Sequence, residues 1–252
     1  MLRIIIFSFY LGSFLFSRSS IYAQDLTAFD IVKKMDDQAY GGYVSSHVKM
    51  TIVRPKWSRT MEMKSWSIGN DYSIIRVIAP AREKGVSYLK REREMWNYQP
   101  SIDRIIKLPP SMMSQSWMGS DFKNDDLVRQ SSIVNDYSHS FSSKDQSDDA
   151  HYIIECIPHP DAPVVWGRVK MWVDKNNFIQ KKVMFYDEDD DLVQTIHSSK
   201  VKKVGDRYLA THMELEPSDE PGKKTIMEYL DIDFKTKHEA SFFSIQQLKR
   251  LR

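Results

Sequence analysis

Residues 44–52 read Val-Ser-Ser-His-Val-Lys-Met-Thr-Ile, with a period of two. Val44, Val48, Met50 and Ile52 share one face, while Ser45, His47, Lys49 and Thr51 share the other. An apolar face alternating with a polar one is the pattern of a half-buried strand. Similar runs follow at 59–69, 72–79, 86–91, 93–99 and 102–108, most parted by turn formers such as Gly69-Asn70-Asp71 and Pro100-Ser101. They predict a meander of antiparallel hairpins. After a break, further strands are predicted at 131–140, 151–157, 164–174, 177–187, 190–203, 207–216 and 223–235, with turns at 174–177, 187–191 and 205–206. A flat open sheet rarely holds more than about ten strands, so about thirteen of them imply strong curvature. Strands of 9–12 residues, at roughly 3.3 Å per residue, make such a sheet tall enough to enclose a cavity.

Upstream of the first strand, Thr27 with Asp30 three residues on forms a capping-box pattern. Phe29, Val32 and Met35 follow at helical spacing before Gly41-Gly42, predicting a helix from Ala28 to Tyr40. Further upstream, Met1-Leu2-Arg3 is a short positive start, Ile4 to Phe16 is an apolar run, and Ser17 to Ala23 is small and polar. That order is a secretory signal peptide. The apolar run has 13 residues, short of the roughly 20 a spanning helix needs. The expectation is a cleaved leader over 1–23 and one exported domain over 24–252, a soluble monomer of the periplasm touching membranes only transiently. Arg3 and Arg18 fall in the leader, which leaves 34 basic residues against 34 acidic ones. A formally neutral chain argues against a nucleic-acid partner, which demands a basic surface. Cys156 is the only cysteine, so the fold has no intramolecular disulfide and rests on its core.

Residues 109–122, Pro-Pro-Ser-Met-Met-Ser-Gln-Ser-Trp-Met-Gly-Ser-Asp-Phe, interrupt the alternation. Met112, Met113, Trp117 and Met118 lie about one helical turn apart, with Pro110 suited to a first helical position and Gly119 to a stop. This predicts a short amphipathic helix over 110–119 with a Met and Trp face. Methionine is unbranched and polarizable, and it serves surfaces that must repack around variable apolar partners. Such a helix either caps the core or plugs the mouth of the sheet. Trp66, Trp96, Tyr98, Trp166 and Trp172 fall in predicted strands, some opposite the aliphatic face. Either helices cover that second face or it lines a ligand space.

The strong catalytic motifs G-x-S-x-G, H-E-x-x-H, C-x-x-C and the Gly-rich phosphate loop are absent from the sequence. The seven histidines at 47, 139, 151, 159, 197, 212 and 238 include no i, i+2 pair, so no local metal site, and no cofactor, is expected. The carboxylates of 187–191 alternate as in a calcium loop, but Leu192 stands where such a loop needs glycine, and a solvated hairpin tip is the better reading. Ser120-Asp121 with a distant histidine is the one candidate nucleophilic arrangement.

Trp66-Ser67-Ile68-Gly69, Ile75 to Ala79, Pro80 to Gly85, Met95 to Pro100, Arg104-Ile105-Ile106 and the stretch from Pro109 to Phe122 resemble the outer-membrane lipoprotein-sorting-protein family, related in fold to the periplasmic carrier LolA. The resemblance spans most of residues 24–252, and 80–122 is its most specific part. It implies a mainly β fold of the LolA/LolB kind: an unclosed antiparallel β-barrel, one strongly curved sheet, with short α-helices covering its concave side over an apolar cavity. It also implies a carrier of lipoprotein acyl chains or another lipid, partnered by an inner-membrane exporter of the RND type. Arg54 and Arg59, on early strands, are the candidates for an arginine that locks a lid. Trp66, Ile75, Trp96, Tyr98, Met112, Met113, Trp117, Met118, Phe122 and Met171 are the expected cavity lining, under a lid made of the helices at 28–40 and 110–119. An adaptor that holds a peptide or an exporter domain on the concave face, and a lipid or glycan hydrolase, are the competing readings.

Overall fold

The computed structural model describes residues 26–129, 132–143, 149–162 and 164–251. The leader expected over 1–23 lies outside them. Helix α1 spans Ala28–Tyr40 and starts on the expected capping box, the Thr27 hydroxyl accepting the Asp30 amide while the Asp30 carboxylate accepts the Thr27 amide. Its buried face is Ala28, Ile31, Val32, Met35 and Asp36, whereas Phe29, at helical spacing from Val32, is exposed and tilts against the His139 ring.

Thirteen strands follow: β1 Tyr43–Arg54, β2 Trp57–Ile68, β3 Tyr72–Ala79, β4 Ser87–Arg91, β5 Glu94–Gln99, β6 Arg104–Lys107, β7 Tyr137–Phe141, β8 His151–Pro158, β9 Arg168–Asp174, β10 Gln180–Tyr186, β11 Leu192–Val204, β12 Arg207–Pro217 and β13 Lys224–Asp233. All join one antiparallel sheet in the order β6-β5-β4-β3-β2-β1-β13-β12-β11-β10-β9-β8-β7. β1 and β13 pair at the centre and join the two meanders, while β6 and β7 stay unjoined at the edges, so the barrel is unclosed. Short helices α2, Asn124–Arg129, and α3, Ser132–Asn135, lead into β7, and α4, Ile245–Arg250, ends the described chain.

Two predicted elements differ. The strand expected over 131–140 begins only at Tyr137; α3 precedes it, and Ile133 and Val134 pack into the core beneath α1. The helix expected over 110–119 is instead a pair of 3₁₀ turns, Pro110–Met112 and Trp117–Gly119, with Met118 in the left-handed region at φ 54°. Its serines explain why. The Ser116 hydroxyl donates to the Ser120 carbonyl, and the Ser120 hydroxyl donates to the Trp117 carbonyl at 2.6 Å and accepts the Phe122 amide. These local bonds give the backbone an alternative to the helical ladder. The Trp117 amide then donates to the Phe122 carbonyl, closing a turn rather than a helix.

The concave face carries two contiguous apolar clusters. One lies on β1–β5 and β12–β13 beneath the 109–122 segment, with Met50, Ile52, Met61 and Met63 at its base and Met113, Trp117 and Phe122 above. The other lies on β8–β10 beneath α1, around Ile154, Cys156, Val169, Met171 and Val183. Burial pushes the Cys156 thiol up to about 12, which keeps it neutral and unreactive. On the convex face the C-terminal segment docks across β3–β5, burying Phe243 and Leu248 against Ile74 and Leu89.

Candidate functional site: an interior space under the sheet

Register places a row of methionines across the concave floor. Met213 pairs with Met227, Met227 with Met50 and Met50 with Met61, on the neighbouring strands β12, β13, β1 and β2. Met50 and Met61 are covered by the 109–122 segment, and beside them, over Met63, Met213 and Met227, the side chains do not fill the interior. Two adjoining lobes of about 240 and 190 Å³ share Met35, Asp36, Tyr40, Trp117, Leu127, Gln180, Met213, Met227 and Tyr229 as common wall. The first draws on β1–β4 and β10–β13 as well as α1, and the second on β9–β13, α1 and the 117–127 segment. Only a sheet wrapped around the space brings both of its arms to one wall. Joined, the lobes reach the lower part of the range of about 300–1,000 Å³ typical of small-molecule sites.

Of the residues expected to line this space, Ile75, Trp117, Phe122 and Met171 do so, Trp117 touching both lobes. Trp66 borders the first lobe only from its strand: its side chain stands in register with Ile74, Leu89 and Trp96 on the opposite face, its ring edge-on against Phe242 of the C-terminal segment. Met113 and Met118 belong to the packed cluster beside the space, and Met112 is half-buried with its carbonyl accepting the Asn124 amide. Trp96 and Tyr98 face the other way, into the convex cluster with Phe243 and Leu248. β4 and β5 carry apolar groups on both faces, and their second face is covered by chain from the far C-terminus rather than by a ligand space. The sequence reading missed Met213, Met227 and Tyr229 as lining, although their alternate spacing marks one strand face.

The 117–122 turn is pinned over the far end of β1. Arg54 donates from both terminal nitrogens to the two Asp121 oxygens, at 2.8 and 3.0 Å, and also reaches the Gly119 carbonyl. Thr225 completes the clamp, its hydroxyl donating to the Asp121 carboxylate at 2.6 Å and accepting the Asp121 amide. Arg59 donates to the Met118 carbonyl. Both arginines singled out from the sequence therefore hold this segment. Ser120 and Asp121 are spent on these bonds, and among the described residues neither is hydrogen-bonded to a histidine. Asp187 accepts the Asp189 and Asp191 amides within the β10–β11 hairpin, as a solvated tip does.

The opposite end of the space is polar. Ser46 and Ser65 share a hydrogen bond at 2.6 Å, and Ser67, Ser73 and Ser198 continue the lining. Lys90, 5% exposed, stands beside Ser73 in register. Burial lowers its ammonium to about 8, with Asp71 and Asp36 opposing that shift. Asp36, on α1, accepts the Asn70 amide, and burial raises its carboxyl to about 6. Burial also raises the Tyr40 and Tyr229 hydroxyls.

A family model described as "Uncharacterized protein" matches residues 69–250. No curated protein matches the sequence. Among solved structures, a DUF1329 family protein from Desulfovibrio piger is 25% identical, covering 88% of this chain and 97% of its own, with a TM-score of 0.79. A domain named for outer membrane lipoprotein sorting, from Vibrio parahaemolyticus, is 21% identical over 88% of this chain and 98% of its own, with a TM-score of 0.76. A LolA superfamily protein from Nitrosomonas europaea is 22% identical over 88% and 99%, with a TM-score of 0.74. The chain belongs to the family whose model spans residues 69–250, and its fold is the LolA-like fold of the outer membrane lipoprotein-sorting proteins.

Proposed function

We propose that this protein is a periplasmic carrier that takes the acyl chains of a lipoprotein or lipid into its interior space and shuttles them from the inner toward the outer membrane, with an RND-type exporter as its inner-membrane partner. The observation that carries this reading is the unfilled, methionine-floored space between the curved sheet and its covers. The leader-like residues 1–23 and the LolA-like fold support the compartment, and no helix among the described residues is long and apolar enough to cross a membrane.

Each acyl chain of about sixteen carbons costs on the order of 12 kcal/mol in water, at roughly 0.8 kcal/mol per methylene. A carrier offsets that cost with apolar wall and still has to release its cargo. Methionine suits both demands, because its flexible thioether repacks around chains of different shape. α1 and the 109–122 segment act as the lid, and Trp117 is their common wall with both lobes. A partner that prefers the open form would shift the population toward it by its differential affinity for the two states.

The test is transfer of a fluorescent acyl lipid between donor and acceptor vesicles across a gap that only soluble protein can bridge. The expected result is acceleration in proportion to protein concentration, reduced by Trp117→Asp or Met113→Asp. Absence of both binding and transfer, with a stoichiometric protein partner recovered instead, would replace the carrier with an adaptor.

A further inference from the structure

The interior space is apolar over its methionine floor but not at the end of β1 nearest α1's C-terminus. Successive concave positions run from Met50–Met61 through Val48–Met63 to Ser46–Ser65–Ile75 and then Val44–Ser67–Ser73–Lys90 in register across β1, β2, β3 and β4. Lys90 is 5% exposed and lines the space, and among the described residues no hydrogen bond or ion pair holds its amine.

A charged side chain that is 5% exposed and opens onto a cavity without a direct partner calls for an explanation, since buried polar groups are ordinarily paired. We infer that the cargo is an amphiphile whose acceptor-rich head, carrying carboxylate, ester or phosphate oxygens, sits against Lys90 and the Ser46, Ser65 and Ser73 hydroxyls while its tail lies over Met63, Met213 and Met227. This rests on the carrier reading and names the class of lipid that the same site takes. The Lys90 amine, at about 8, is charged at neutral pH, as a partner for an anionic or ester head must be. Asp36 lies across the same space, but its carboxylate is already engaged by the Asn70 amide. Its charge disfavours an anionic head directly beneath α1 and directs that head toward β3 and β4.

The test uses the full mature chain and two probes of equal tail: dansyl-aminoundecanoic acid, and the corresponding dansylamide with a plain undecyl chain and no carboxyl. The wild type should bind the carboxylate probe about tenfold or more tightly than the headless one, the range of one charge-assisted hydrogen bond. Lys90→Met should abolish that preference and leave the headless probe's affinity unchanged, which also reports that the variant is folded. Lys90→Arg should keep most of the preference. Equal affinity of wild type for both probes, or a preference that survives Lys90→Met, overturns the head site while the carrier stands. Failure of both probes to bind the wild type overturns the carrier reading itself.

Discussion

Replacing Arg54 with methionine tests how the cover is fastened. In the wild type the guanidinium makes two short bonds to Asp121 and longer ones to the Gly119 and Lys224 carbonyls, and the two side chains are 12% and 7% exposed. Removing it strands a buried carboxylate whose remaining bonds come from Thr225. Breaking one side of such a pair costs about 3–5 kcal/mol if the geometry stays fixed. The 117–122 turn can escape most of that cost by lifting its carboxylate into water, at the expense of the packing of Trp117 and Phe122 over Met50 and Met61. Arg54→Met should therefore lower global stability in urea by about 2–4 kcal/mol and raise hydrogen exchange selectively at the amides of 117 and 120–122. Asp121→Asn in the Arg54→Met background should recover part of the loss, because no charge is left behind. A variant within about 0.5 kcal/mol of the wild type, with unchanged exchange over 117–122, would refute the claim that this pair holds the cover down.

Three other outcomes follow from the same geometry. Burial raises the Asp36 carboxyl from 3.8 to about 6, so the folded chain binds that proton more tightly than the unfolded one. The stability it contributes is full below about pH 4 and is lost as pH rises through about 6, by roughly 3 kcal/mol in all. Asp36→Asn should flatten this slope in urea melts across that window and be the more stable form at neutral pH, and a variant that keeps the slope would contradict it. Trp117→Ala removes the wall common to both lobes and should cost about 3–5 kcal/mol while a headless apolar probe still binds, so a loss under about 1 kcal/mol would deny Trp117 its place in the core. Phe243→Ala should cost a similar amount, because Phe243 is fully buried, yet leave probe affinity untouched since it lies on the convex face; lost binding would place the ligand on the wrong side of the sheet.

The strand meander and α1 were legible because each rests on local chemistry. Alternation in 44–52 gives β1 its faces, and Thr27 with Asp30 starts α1 where the structure starts it. The 109–122 segment was not legible, because Ser116 and Ser120 turn the chain with their own hydroxyls while the apolar spacing imitates a helix. Trp96 and Tyr98 misled for a different reason. Their strand is apolar on both faces, and the chain that covers the second face comes from Ala240 to Leu251, which no local pattern announces. The methionine floor is likewise a product of register, since Met213 and Met227 meet Met50 and Met61 only once β13 pairs with β1.

The central claim is that the curved sheet encloses room for a lipid. Its most direct measurement is a quantitative lipid inventory: the mature protein isolated from the envelope without detergent, extracted with organic solvent and analysed by mass spectrometry against protein concentration. The account predicts an acyl lipid with an ester-, carboxylate- or phosphate-bearing head in near-stoichiometric amount, depleted in Trp117→Asp. A protein that emerges free of lipid and also fails to bind an added acyl probe would contradict it.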